Sequence, residues 1–256
     1  MNTPRDLIIN NVLNLQSFTP SDEVNSVMGA LVNEVINTCS TLSVASEDLI
    51  KVRQISADTE SELEKYWARR IIASETPIDE LKIFPYLDNY QELTGREVAL
   101  VAHSGLSLTH KHKALVIGSG PLPLSAYELH RQTGVHIDHV DSSHEAIKLC
   151  EQLMNTLGLS DSKYYEATGE TVLLRGVYDL ILIAALAGAT AADKQKIIDA
   201  VMPYLSNNGR IVIRSAKGSR TLLYPGILSE DIKGLSLLKE YHPTDYIINS
   251  IFVYGR

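Results

Sequence analysis

The chain has 256 residues, 45% of them hydrophobic and 21% charged, with a formal net charge of −8. This is the composition of a soluble globular protein with one large or two modest cores. An acidic balance without a basic patch argues against nucleic acid as a partner, and no apolar run reaches the roughly 20 residues of a membrane span.

The opening Met1-Asn2-Thr3-Pro4-Arg5-Asp6 lacks the basic and apolar regions of a secretory signal. Cys39 and Cys150 stand far apart with no Cys-x-x-Cys partner, which disfavours a structural disulfide or zinc and points to a reducing cytoplasm.

Residues 1 to about 95 read as helices. Leu7, Ile8, Val12 and Leu15 recur at helical spacing, as do Val27, Leu31, Val35 and Ile36. Ser21-Asp22-Glu23 and Ser46-Glu47-Asp48 have the form of helix starts, residues 58–72 make a further helix, and Pro77 separates it from a short one at 78–83. Glu60 and Glu64 stand at i and i+4, on one helix face. On a surface two such carboxylates are solvated; turned into a cleft, one acquires a raised pKa and suits a general base. Phe84-Pro85-Tyr86-Leu87-Asp88-Asn89-Tyr90 reads as an aromatic loop. It either packs the helices against the rest of the chain or offers Tyr86 or Tyr90 to a cleft.

From Lys113 the pattern changes to strands at 114–117, 136–140, 163–167, 179–183, 210–214 and 247–253, separated by helices at 121–133, 143–157 and 190–205. Asn207-Asn208-Gly209 reads as the turn into the fifth strand. Such alternation gives a mostly parallel sheet with helices on both faces, whose ligands bind beyond the carboxyl ends of the strands.

The first of those ends is Leu115-Val116-Ile117-Gly118-Ser119-Gly120-Pro121-Leu122-Pro123-Leu124. Glycines 118 and 120 allow positive φ and a close backbone approach, and prolines 121 and 123 fit a helix's first turn. The third glycine of the dinucleotide fingerprint is absent, which argues against NAD. The second strand ends on Asp141, about twenty residues on, where an acidic side chain accepts hydrogen bonds from ribose hydroxyls. Asp141 could equally cap the next helix; with the glycine turn it favours an adenosine ligand.

Thr168-Gly169-Glu170 follows the third strand, where methyltransferase-like folds meet adenine, although a plain turn has the same form. Ala184, Ala185 and Leu186 follow the fourth, small enough to leave ligand room or to pack a helix. Arg214-Ser215-Ala216-Lys217-Gly218-Ser219-Arg220 follows the fifth, and its cations either hold substrate carboxylates or form a solvated face. His110 and His112 have no third ligand at metal-like spacing, and His103, His130, His136, His139 and His144 have no recognisable partners.

The glycine turn, Glu60-Ser61-Glu62-Leu63-Glu64, Phe84-Pro85-Tyr86 with Asn89-Tyr90, Ala184-Ala185-Leu186, Arg214-Ser215-Ala216, Leu223-Tyr224-Pro225 and Tyr241-His242-Pro243-Thr244-Asp245 with Asn249-Ser250 together resemble the nicotianamine synthases over residues 50 to 256. The resemblance implies an α/β fold, a Rossmann-like methyltransferase-type sheet at 111–256 preceded by an all-helical domain at 1–110. It implies a cytoplasmic enzyme that moves the 3-amino-3-carboxypropyl (aminobutyrate) arm of S-adenosyl-L-methionine to an amine, releasing 5′-methylthioadenosine and building a nicotianamine-like metallophore. No metal is required; the partners are small molecules, with a homodimer admitted and neither membrane nor nucleic acid involved.

By resemblance Glu64 is the base, with Tyr90 bonded to it or to the amine, and Glu60 and Tyr86 are second choices. Gly118, Ser119, Gly120, Pro121, Leu122, Asp141, Ser142, Thr168, Gly169, Ala184, Ala185 and Leu186 meet S-adenosylmethionine. Arg214, Arg220, Tyr224 and His242 meet the second substrate. Two departures stand out: some relatives carry Asp-Ile-Asp where this chain has Asp141-Ser142-Ser143, and Lys217-Gly218-Ser219 lies in the arginine loop. The alternatives are a single transfer to histidine or another amino acid, as in opine-type metallophore synthesis, and conventional methyl transfer.

Overall fold

Central strands whose side chains are apolar at every position need cover on both faces, and this sheet has it. Leu115 and Ile117 enter one core with Ile181, Ile183, Ile211 and Ile213, while Ala114 and Val116 enter the other with Leu180, Leu182 and Val212. The strands are β1 (Lys113–Ile117), β2 (His136–Asp141), β3 (Tyr164–Glu166), β4 (Tyr178–Ile183), β5 (Leu205–Ser215), β6 (Ser236–Tyr241) and β7 (Ser250–Gly255). They form one seven-stranded sheet in the order β3-β2-β1-β4-β5-β7-β6, parallel from β3 to β5 and antiparallel at β7 and β6. The order reverses between β1 and β4, so the glycine turn leaves the sheet at its topological switch point.

The computed structural model describes residues 4–38 and 44–256. Cys39 and residues 1–3 lie outside them, and Cys150 is buried and free. Among the described residues no helix is long and apolar enough to cross a membrane, and no group of three or more His, Cys, Asp or Glu side chains is placed to hold a metal.

The helices are α1 (Pro4–Leu13), α2 (Asp22–Asn37), α3 (Ser46–Ile72), α4 (Pro77–Lys82), α5 (Leu87–His103), α6 (Leu124–Thr133), α7 (His144–Thr156) and α8 (Ala191–Val201). Ser21 caps α2, its side chain accepting from the Val24 N–H. Two expected helices, one from Ser46 and one over 58–72, are a single helix of 27 residues, because nothing between Ser46 and Ile72 is Pro or Gly. Its two ends serve different cores. Val52 packs with α1, α2, Leu222 and Leu223, whereas Trp67, Ala68 and Ile71 pack with Phe84, Leu87, Leu149 and Leu153. The middle of α3, polar in sequence, spans the gap between them.

Three further expectations change. The stretch 87–90 is the first turn of α5 rather than loop. Helix α6 begins at Leu124, with Pro123 as its N-cap residue, so the prolines precede the first turn. Residues 207–209 lie inside β5, where the pairing with β4 jumps from Leu205 to Arg210 as Tyr178 gives way to Leu180. They form a bulge rather than a turn.

Candidate active site

Helix α3 carries Glu60 and Glu64 past the carboxyl end of the sheet, and each receives a phenol. The Tyr90 hydroxyl donates to Glu64 Oε1 at 3.1 Å. The Tyr224 hydroxyl, from the 3-10 turn after β5, lies 2.9 and 3.1 Å from the two oxygens of Glu60. All four side chains are partly buried. Desolvation, then the charge of Glu60, holds the Glu64 carboxyl well above the ordinary carboxylate range, while the bonds from Tyr90 and the Leu122 N–H work the other way. Glu60 is raised too, chiefly by desolvation, against the Tyr224 bond and the charge of Arg214. Both phenols are pushed upward by desolvation and by the carboxylates beside them, so they stay protonated as donors.

The glycine turn meets this pair directly. Gly118 and Gly120 have φ of +78° and +68°, a conformation costly for side-chain-bearing residues. A Cβ on Gly120 would lie 2.6 Å from Glu64 Oε2, and one on Gly118 would press at 3.2 Å on Ala184 and Ala187. Asp141 ties two turns together: Oδ2 accepts the Gly120 N–H at 2.9 Å, and Oδ1 accepts the Ser143 N–H at 2.9 Å. Ser142 and Thr168 are exposed, with the Thr168 hydroxyl bonded to Thr171. Gly169 is buried because a Cβ there would strike Ile117 and Ile197 at 2.9 Å. Pro121 and Leu122 are buried, Leu186 is exposed, and the Ala184 N–H continues the sheet to the Ile117 carbonyl at 3.0 Å.

Four expected site residues are placed elsewhere. Arg214 faces no cleft as a free cation. It makes a two-pronged pair with Glu97 at 2.7 and 2.9 Å and donates to Ser125 at 2.8 Å, with both ions almost fully buried. Its charge still acts on Glu60 and the two phenols. Arg220 is buried and donates to the carbonyls of Ile247 and Asp245. His242 has both ring nitrogens engaged, with Ser250 at 2.8 Å and Glu240 at 2.6 Å. Tyr86 is 47% exposed at the start of α5, edge-on to Phe84 and apart from the carboxylates.

Two supporting groups were missed from sequence. His139 lies under the glycine turn, fully buried and stacked on Tyr164 at 5.1 Å, with Nδ1 3.2 Å from the Ser119 hydroxyl. That hydroxyl donates its one proton to the Val116 carbonyl, so His139 Nδ1 carries a hydrogen and donates to Ser119. Burial pushes this histidine down to about 4, and it is neutral at pH 7. The Ser119 side chain is thereby turned inward. Alternation along β2 placed His139 on the same face as Asp141, the one available signal.

Lys194 of α8 is completely buried, and its ammonium donates to the carbonyls of Ala184, Ala185 and Ala187 at 3.0, 3.2 and 2.8 Å. It holds the loop that backs Gly118, and burial lowers its pKa to about 7. The unfolded chain binds that proton up to about pH 10. Stability therefore rises between about pH 7 and pH 10, by up to ~1.4 kcal/mol per pH unit from this group. Urea unfolding at pH 7 and 9 checks this: the increment is expected in the native protein and absent from Lys194→Met.

With this geometry in view, three comparisons bear on it. The family model described as "Nicotianamine synthase protein" matches residues 6–256. Nicotianamine synthase 9 of Hordeum vulgare is 32% identical over 256 residues, covering 93% of this chain and 74% of that protein. The solved structure of MtNAS in complex with MTA and tNA superposes with a TM-score of 0.83 at 20% identity, over 100% of this chain and 99% of that one. A variant of MtNAS in complex with S-adenosylmethionine gives 0.80 at the same identity and coverage.

Proposed function

This chain belongs to the nicotianamine synthase family, and from that premise we propose that it transfers the aminobutyrate arm of S-adenosylmethionine to an amine acceptor. The products are 5′-methylthioadenosine and a nicotianamine-like molecule. One observation carries the reading: a carboxylate–phenol pair, Glu64 with Tyr90, lies directly against a positive-φ glycine turn. S-adenosylmethionine supplies a sulfonium with three electrophilic carbons, so orientation decides which one reacts.

The turn at 118–122, with Asp141 bracing it, approaches the adenosine end closely because it has no Cβ to obstruct it. Thr168, Gly169 and the Lys194-held loop at 184–186 bound the same space. Glu64, already short of solvent, accepts the proton of the attacking amine. The amine nitrogen bonds to the arm's terminal CH2, the C–S bond breaks, and sulfur leaves with the electron pair as a thioether. Tyr90 orients the carboxylate, and the Glu60–Tyr224 pair adds negative potential beside the cationic sulfur.

The helical part at 1–110 and the sheet part at 111–256 are proposed as the two walls of this cleft. The same reading makes the product a metallophore, chelating through its carboxylates and amines, and the enzyme a cytoplasmic protein that self-associates as a homodimer.

Mass spectrometry of the purified protein with S-adenosylmethionine and a panel of amino acids tests the reading. Methylthioadenosine plus an adduct heavier by aminobutyrate units is expected. S-adenosylhomocysteine would overturn it in favour of methyl transfer.

A further inference from the structure

Three buried polar atoms without a hydrogen-bond partner among the described residues are Ser56 Oγ, Thr94 Oγ1 and Asn249 Nδ2. Their residues are 6%, 0% and 8% exposed. Such atoms are costly unless something bonds them, and their positions are not scattered. Ser56, Glu60 and Glu64 fall at i, i+4 and i+8 on α3, one face of one helix. Tyr90, Thr94 and Glu97 fall at i, i+4 and i+7 on α5. The two rows meet. Tyr90 bonds Glu64, and Glu97 bonds Arg214, whose charge reaches Glu60, Tyr90 and Tyr224. Thr94 thus stands between the base and the arginine. Asn249 immediately precedes Ser250, which pairs with Ser215, the neighbour of Arg214.

We propose that Ser56, Thr94 and Asn249 seat the carboxylates of an acceptor that already carries an aminobutyrate arm. The inference rests on the transferase reading above and extends it to the acceptor's length. Two hydroxyls and an amide N–H that lack acceptors, beside a guanidinium, suit an anion. A further amine would instead need acceptors. Their spacing sets the length: along a helix four residues advance about 6 Å and eight about 12 Å. Thr94 is one step beyond Tyr90, and Ser56 two steps beyond Glu64. Successive nitrogens in an aminobutyrate chain are separated by four single bonds, about 5 Å when extended. A single free amino acid with its amine at Glu64 cannot reach Ser56; an acceptor lengthened by one or two arms can.

The test compares the native enzyme with Ser56→Ala/Thr94→Val and with Asn249→Leu, reading products, S-adenosylmethionine affinity and melting temperature. The variants are expected to accumulate the one-arm adduct. Their KM for that adduct should rise about tenfold or more, the loss of one hydrogen bond to a charged group. S-adenosylmethionine binding and the first transfer stay unchanged. Melting temperature is expected not to fall, because removing an unpartnered buried polar atom is neutral or stabilising. A drop would mean that the groups are structural, and the inference fails. An unaltered product distribution overturns it too. So does a native enzyme that stops at one arm, which leaves the transferase reading intact. Absence of methylthioadenosine from every native reaction removes both.

Discussion

Glu64→Gln is expected to lower methylthioadenosine formation by about 10²–10⁴-fold, the contribution of a positioned general base, with S-adenosylmethionine affinity within a few-fold of native. Glutamine keeps the size of glutamate, and its carbonyl can still accept from the Tyr90 hydroxyl and the Leu122 N–H, the two donors that hold Glu64. It cannot take a proton from the amine. Product assay and calorimetry separate the two effects, and a variant at full rate would remove Glu64 from the role.

The direction of the pH dependence follows from the same environment. The base works deprotonated, so rate climbs with pH through its pKa, and that limb is displaced above the ordinary carboxylate range by desolvation and by the charge of Glu60. Glu60→Gln deletes the second cause and should slide the limb to lower pH without abolishing turnover. The i, i+4 spacing of two acids on α3 thereby has a chemical use: each makes the other a stronger base than it would be alone.

What could be read from the chain tracks how local the cause is. The apolar runs 114–117 and 179–183 announced strands covered on both faces, and β1 and β4 stand there with alternate residues in opposite cores. Gly118 and Gly120 take the positive φ expected of them. The continuity of α3 was hidden because its middle, Ser56 to Glu64, lacks apolar periodicity; tertiary packing at its two ends, not local pattern, keeps it helical. That break in periodicity is also where the candidate catalytic carboxylates lie.

Tyr90 was assigned to an aromatic loop by its neighbours Phe84 and Pro85, yet it needs the first turn of α5 to aim at Glu64. Strand β6 shows no alternation in Ser236-Leu237-Leu238-Lys239, and as an edge strand its side chains stay largely exposed. The partners of Arg214 and Lys194 were invisible for another reason. Glu97 is 117 residues from Arg214, and Lys194 is satisfied by backbone carbonyls, which no side-chain pattern encodes.

Arg214→Met is expected to destabilise the fold by about 3–5 kcal/mol, the cost of breaking a buried ion pair from one side. Glu97 is 2% exposed, and Arg214 supplies both bonds to its carboxylate recorded in the structure. Removing the guanidinium leaves a desolvated charge. The double variant Arg214→Met with Glu97→Met should recover most of that loss, since two apolar side chains of similar volume can replace a buried pair at little cost. Urea unfolding of the two singles and the double closes the cycle and isolates the coupling.

A substrate clamp would behave in the opposite way: the single variant would keep its stability and raise only the KM for the acceptor. The ion pair also has a consequence for chemistry, because the charge of Arg214 draws Glu60 downward against desolvation. In the double variant, folded but without that charge, Glu60 holds its proton to higher pH and repels Glu64 less. The acidic limb of turnover therefore shifts toward lower pH, in the same direction as Glu60→Gln. A cation 117 residues from its carboxylate partner, read from sequence as a hand for substrate, is thus expected to act as the brace that keeps two acids charged side by side.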